Sequence, residues 1–261
     1  MKTVLITGCS SGYGLATAHH FLSQGWHVIA TMRSPREDLL PRSERLRLLA
    51  LDVTRAESID AALAVCGPID VLVNNAGVGL FGAFEATPMT TVREVFETNT
   101  FGVMALTQAM LPRFRERRAG VIVNVTSSAT LAPMPLVAAY TASKTAIEGF
   151  TASLAHELGE FGIRARLVEP GYCPDTRFTE NAGPRMAGMI PEAYGAYAMS
   201  VLAGFAQPAR VTQASDVAEA VWRAANDRSG QLRFPAGADA VALVHGDILP
   251  AGERTAVSRF D

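Results

Sequence analysis

Tyr140 and Lys144 are separated by one helical turn in the run Tyr140-Thr141-Ala142-Ser143-Lys144, so phenol and ammonium share a face. A free phenol, with a pKa of about 10, is a poor base at neutral pH; a nearby cation favours the phenolate and brings it into range for acid/base work. Such a pair can give a proton to a carbonyl oxygen while hydride arrives at carbon. By itself the pair is a weak signal, because Tyr and Lys at helical spacing are common on solvated faces. Ser127 follows the apolar run GVIVNVT at 120–126 and can donate to the same oxygen. Ser128 is the neighbouring alternative, and either can be an ordinary turn serine. Asn99 is a poor helix former inside a helical stretch, where it can kink the helix and hold a water against Lys144.

A second constellation lies at the start of the chain. Thr7-Gly8-Cys9-Ser10-Ser11-Gly12-Tyr13-Gly14 stands between an apolar strand and a helix, where backbone amides and the helix dipole hold a pyrophosphate. Gly8, Ser10, Ser11, Gly12, Tyr13 and Gly14 are therefore candidate cofactor contacts. The spacing is G-x-x-x-G-x-G, and a tight connection with positive φ is the plainer account of the glycines alone. The next strand ends Thr31-Met32-Arg33, with no acid to accept from a ribose 2′-hydroxyl and an arginine to meet a 2′-phosphate. That exchange favours NADP(H) over NAD(H), with Arg36 as a possible assistant. Asp52, beside Val53, can accept from an adenine amino group or serve as a turn or capping aspartate. Asn74-Asn75-Ala76-Gly77 closes a later strand. Asn75 and Ala76 can face the adenosine ribose or knit strand ends, and Gly77 permits close approach.

These residues need a scaffold that gathers strand ends. Apolar runs at 3–7, 27–31, 46–51, 70–75, 120–126 and 163–168 read as strands, separated by helical stretches at 14–24, 55–66, 90–117 and 138–161. Strands apolar on both faces and alternating with helices predict an α/β fold with a parallel sheet covered on both sides. Ligands then lie outside the carboxyl ends of the strands. From 172 to 210 the pattern changes to a loop-rich stretch with Pro174, Pro184, Pro191 and Pro208, read as an insertion over the sheet edge. A helix at 214–226 and a last strand near 231–234 follow, so 1–261 is expected to be a single domain.

Half of the chain, 49%, is hydrophobic and 18% is charged, enough apolar material for a substantial core. A net charge of -2 supplies no field for nucleic acid or an anionic membrane, and the basic run RFRERR at 113–118 reads as the solvated end of a helix. Cys9, Cys66 and Cys173 lack a CxxC spacing and cannot all pair, which disfavours disulfides and a metal site. The first strand begins at once, and no apolar run of about 18 residues offers a membrane span, so a cytoplasmic location is expected.

With TGCSSGYG, NNAG, Asn99, Ser127, Tyr140/Lys144 and Pro170-Gly171 in this order, the sequence resembles the short-chain dehydrogenase/reductase family over roughly its whole length. The resemblance implies a Rossmann-like, doubly wound single domain with hydride carried by NAD(P). It implies Asn99, Ser127, Tyr140 and Lys144 as a catalytic tetrad: Ser127 rather than Ser128 orients substrate, and Asn99 supports a water relay from the lysine. Lys144 would also hold the nicotinamide ribose, and Pro170 and Gly171 would flank the nicotinamide. The family's threonine after Pro-Gly is met one position late, at Thr176, which leaves its role open. The helices at 90–117 and 138–161 resemble the pair that makes the family's dimer interface, while the C-terminus lacks the glycine-rich ending of many tetrameric members, so a dimer or monomer is expected.

The 172–210 lid carries Met186, Met189, Ile190, Tyr194, Tyr197, Met199 and Phe205, facing Leu131, Met134 and Leu136 before Tyr140. They read either as the lining for an apolar substrate or as the core of a lid. Arg177 and Arg185 are the cations that can meet a substrate carboxylate. The expectation is a hydrophobic ketone or secondary alcohol, steroid-, retinoid- or aryl-ketone-like. A sugar-nucleotide epimerase-type relative is disfavoured by chain length and glycine spacing, and a non-catalytic NADP(H) sensor by the complete tetrad.

Overall fold

The computed structural model describes residues 1–176, 178–206 and 210–246. Seven strands form one sheet: β1 (Thr3–Ile6), β2 (His27–Met32), β3 (Leu46–Ala50), β4 (Val71–Asn74), β5 (Gly120–Val125), β6 (Ile163–Pro170) and β7 (Arg233–Ala236). They lie in the order β3-β2-β1-β4-β5-β6-β7. Every pairing is parallel. The order reverses direction between β1 and β4, so the connections leaving these two strands diverge to opposite faces and open a crevice at their carboxyl ends.

Successive residues of a strand point to opposite faces, and both faces here are covered. Val4 and Ile6 of β1 enter a core with Phe21, Trp26, Val217, Val221 and Phe234, beneath α1 (Gly12–Ser23) and α8 (Ala214–Asn226). Leu5 enters the opposite core with Leu72, Leu106, Met110, Phe114 and Ile122, beneath α2 (Ala56–Cys66), α4 (Gly102–Arg117) and α5 (Ala138–Gly159). Each such fully buried side chain is worth roughly 1.5–3 kcal/mol, so this two-layer burial holds the strand ends in place. Gly120 opens β5 because an added Cβ would stand 2.4 Å from the Phe114 ring.

The helix expected over 90–117 is α3 (Met89–Phe96) and α4 joined by a π-turn, Glu97–Phe101. A π-turn accommodates one extra residue without ending the helix, and Asn99 sits in it. The 172–210 region is not loop-rich: it holds α6 (Phe178–Met186) and α7 (Gly195–Ala206). Pro191 misleads as a helix breaker. It caps a short turn at Glu192–Tyr194, where a missing N–H costs nothing. Pro208 lies outside the described residues, as do Arg177 and the side chains of Pro184 and Phe205. A further helix absent from the sequence expectation, α9 (Ala238–His245), follows β7.

The basic run is not simply solvated. Arg113 donates to Leu63 O at 2.8 Å, Arg117 to Ile69 O, and Arg118 to Glu160 O at 2.7 Å, tying the end of α4 to its neighbours. The three cysteines are free and buried. No helix among the described residues is long and apolar enough to cross a membrane.

Candidate active site

A cleft of about 830 Å³ opens at the carboxyl ends of the strands. Its lining includes Gly8, Ser10, Ser11, Gly12, Tyr13, Arg33, Asp52, Val53, Asn75, Ala76, Gly77, Tyr140 and Lys144. Gly14, Asn99, Ser127, Pro170 and Gly171 are not among its lining residues, Ser127 and Gly171 being partly exposed and the others buried.

The glycine-rich turn is shaped by what its glycines exclude. Gly8 takes φ +74, and a Cβ on Gly14 would meet Gly8 O at 2.3 Å and Asn75 Nδ2 at 2.5 Å. Asn75 Nδ2 donates to Thr7 O at 2.8 Å, and Thr7 Oγ1 accepts from the amides of Asn75 and Ala76 at 3.0 and 2.9 Å. Asn74 donates to Asn124 Oδ1 at 2.8 Å. Both asparagines therefore knit strand ends, and the Cys9 amide donates to Thr31 O at 2.9 Å, tying the turn to β2. At Gly77 a Cβ would lie 3.2 Å from Lys144 Nζ and 3.3 Å from Asn99 Oδ1, so only a bare backbone leaves this corner open. A phosphate-bearing dinucleotide fits such a cradle: small residues around a helix N-terminus, with the space a side chain would fill left empty.

At the other end of the cleft Arg33 is exposed and makes no hydrogen bond or salt bridge with any described residue. Arg36 is held by Asp38, with its Nε and Nη2 donating to the carboxylate at 3.2 and 2.5 Å. Asp52 Oδ1 accepts from Thr54 N and Oγ1 at 3.0 and 2.7 Å, forming the turn expected as the alternative role while still lining the cleft.

Tyr140 is buried, and burial pushes its phenol up to about 12, with a hydrogen bond to the Ser127 hydroxyl pulling the other way. The ordering differs from the sequence expectation: the group that eases the phenolate is Ser127, and desolvation outweighs it. Lys144 is buried as well and lowered to about 8 by desolvation, against the opposing pull of Glu148. Its Nζ donates to Val125 O at 3.1 Å. Asn99 spends both amide hydrogens, Nδ2 donating to Val78 O at 2.9 Å and Ser143 Oγ at 3.1 Å, while Oδ1 accepts from Val78 N at 2.8 Å and keeps a second lone pair. The π-turn is what aims this side chain inward, onto the helix of Tyr140 and Lys144.

The Pro-Gly turn is gripped from two sides. Tyr13 donates its hydroxyl to Gly171 O at 3.2 Å. Asp239 of α9 accepts from Tyr172 N and Thr212 Oγ1, each at 2.6 Å. Thr176 reaches the cleft despite its late position: its side chain would lie 3.6 Å from a Cβ on Gly12. Asn181 and Arg185 of α6 line the same cleft. Their approach, and that of Asp239, carries no local sequence signal, because both helices come from remote parts of the chain.

Of the expected apolar lining, Met189 is 3% exposed and packs with Leu80, Val92, Val95, Ala129, Ala139 and Tyr140. It pins the lid: Ala83 N donates to Met189 O at 2.9 Å. Tyr197 and Met199 are instead exposed, at 51% and 68%, and do not line the cleft. Leu136 holds φ +61, an uncommon conformation for a bulky residue, on the loop leading to Tyr140.

Residues 2–187 match the family model described as short chain dehydrogenase, and the chain belongs to that family. It is 42% identical over 181 residues to retinol dehydrogenase 8 of Homo sapiens, covering 65% of this chain and 58% of that one. It is 38% identical over 184 residues to a 3-ketodihydrosphingosine reductase of Bacteroides thetaiotaomicron, covering 69% of this chain and 66% of that one. These matches span less than two thirds of the curated relatives' own length. A short-chain dehydrogenase from Streptomyces avermitilis superposes with a TM-score of 0.79 at 35% identity, over 100% of this chain and 97% of that one. The chain thus belongs to a family of oxidoreductases that use nicotinamide cofactors.

Proposed function

We propose that the protein is an NADP(H)-dependent oxidoreductase that interconverts a hydrophobic ketone or aldehyde with its alcohol, running toward reduction. The observation that carries this reading is the buried Tyr140 phenol, held protonated and bonded to Ser127, on the cleft wall one turn from Lys144. A neutral phenol is a proton donor, which suits delivery to a carbonyl oxygen. Ser127 orients that oxygen as a second donor. Lys144 would supply positive charge beside the developing oxyanion and would hold the nicotinamide ribose through its ammonium donors. Asn99, anchored at Val78 and Ser143, supports water next to Lys144. Bound in the cradle, the nicotinamide supplies the hydride.

NADP(H) preference rests on the exposed Arg33 guanidinium, whose charge acts on Asp52 without a hydrogen bond to it, and on the absence of an acid at the end of β2. The apolar class of substrate draws support from relatives named for retinol and a ketosphingoid; Leu131, Met134 and Leu136 are half-buried ahead of Tyr140 and do not line the cleft. A homodimer through α4 and α5 agrees with the exposed Phe101, 52% accessible. The decisive experiment is a panel of ketones and alcohols followed at the nicotinamide absorbance with both cofactors. Turnover of apolar ketones with NADPH in preference to NADH is expected; no consumption of either cofactor with any member rejects the reading.

A further inference from the structure

One turn beyond Lys144, on the stripe that carries Tyr140, stands Glu148, buried at 6% exposure. Its Oε1 accepts from Thr126 Oγ1 and from Thr130 Oγ1, each at 2.8 Å. These two threonines bracket Ser127. The turn between them is closed by Thr130 N donating to Ser127 O at 3.0 Å; the single Thr130 hydroxyl proton is shared between this oxygen, at 2.6 Å, and Glu148 Oε1. Lys144 grips the preceding carbonyl, Val125 O. One face of α5 therefore presents the Tyr140 phenol and, through its next two turns, holds the strand end and turn that present Ser127.

The carboxylate is itself held. Arg233 of β7 ion-pairs with Glu148 and with Glu169, which is wholly buried at the end of β6 just before Pro170-Gly171. Glu169 Oε2 has no hydrogen-bond partner. A buried acid with a cation on one side and threonine hydroxyls on the other gives charge-assisted hydrogen bonds, about twice as strong as neutral ones.

We propose that Glu148 is a positioning residue for the reaction: a carboxylate clamp that fixes the 126–130 turn to α5 and so holds the Ser127 hydroxyl in register with the Tyr140 phenol. This rests on the proposed hydride chemistry for its kinetic consequence, while its structural content stands apart from it. Two donors aimed at one oxygen tolerate little relative movement, and a 1 Å misplacement costs on the order of 100-fold in rate.

Two readouts test the clamp. In Glu148→Ala, amide hydrogen exchange across 126–131 is expected to rise about tenfold or more while β4 and α1 keep their protection. In the same variant kcat for the best ketone is expected to fall about 10- to 100-fold, with KM for NADPH within about threefold. Glu148→Gln keeps the acceptor oxygen and should recover slow exchange and most of kcat. Thr130→Val, which removes one donor and spares the buried charges, gives a smaller change of the same kind and serves if the alanine variant does not fold. Unchanged exchange across 126–131 in the variants overturns the clamp whether or not turnover is found. A Gln variant as defective as the Ala variant overturns the acceptor role. Wild-type protein without turnover on the ketone panel instead rejects the proposed function, and exchange alone then decides the clamp.

Discussion

Asn99 Nδ2 donates to Ser143 Oγ at 3.1 Å, joining the π-turn between α3 and α4 to the helix that carries Tyr140 and Lys144. Thr100 adds a second tie, its hydroxyl donating to Ser143 O at 2.9 Å. The lysine is thus fixed between α5, the end of β5 and the π-turn, in surroundings that lower its proton affinity to about 8 by burial.

The pH profile of ketone reduction follows from that value. As pH rises through about 8 the ammonium loses its proton, and the positive charge beside the site disappears. Tyr140, pushed up to about 12, adds no limb in the same range. Reductive kcat/KM is expected to decline on the alkaline side with an apparent pKa near 8, and Lys144→Arg should move that decline upward. A profile identical in the two proteins assigns the limb to another group. Tyr140→Phe, which keeps the ring and loses the proton, should reduce kcat by roughly 100-fold or more with NADPH affinity within a few-fold.

Arg33→Ala tests cofactor choice. A guanidinium paired with a phosphate is worth about 1.5–3 kcal/mol, so the variant should bind NADPH about 10- to 100-fold more weakly. Affinity for NADH should be unchanged. Fluorescence titration with each cofactor reads both, and equal loss of the two would remove the basis for NADP(H) preference.

The glycine-rich turn has little tolerance. A methyl on Gly14 would stand 2.3 Å from Gly8 O, a backbone atom that cannot swing aside. Gly14→Ala should cost about 1–3 kcal/mol of stability and abolish tight dinucleotide binding. Thermal melts with and without NADPH check this: the variant is expected to melt lower and to gain nothing from the cofactor.

Glu169 makes stability depend on pH. Burial, and then the nearby Glu148 carboxylate, raise its pKa from 4.5 to about 7. The folded chain therefore holds this proton longer than the unfolded chain does. The resulting stabilisation is complete below the unfolded value and is lost as pH rises through about 7. Glu169→Gln should flatten this dependence and raise stability near pH 8 by about 1–2 kcal/mol, read as denaturation midpoints across that window.

The sheet was legible because Val4, Leu5 and Ile6, with their counterparts in β2, β4 and β5, are apolar on both faces, a pattern that only a covered parallel sheet satisfies. Tyr140, Lys144 and the glycine-rich turn were legible because their partners lie within one turn of chain. The lid was misread: its helices are anchored by Met189 against a remote apolar cluster, and proline content alone does not reveal that docking. Asp239 and Arg233 reach the site from the far end of the chain, so no local pattern marks them. The height of the Tyr140 pKa was hidden for a related reason, since spacing reports a neighbouring cation and says nothing of the water excluded around both.

The π-turn also sets a frame. Beyond it, Val103, Leu106, Met110 and Phe114 are the buried face of α4. Because a π-turn holds one residue more than an α-helical turn, deleting one residue within Glu97–Phe101 would let the segment close to an ordinary helix while α4 keeps its phase, with Phe114 still in the core. Only the turn itself would be re-aimed, and Asn99 would lose its place against Val78. The inward asparagine and the hydrophobic floor beneath the sheet are thus separable, and a single-codon deletion can remove the first while sparing the second.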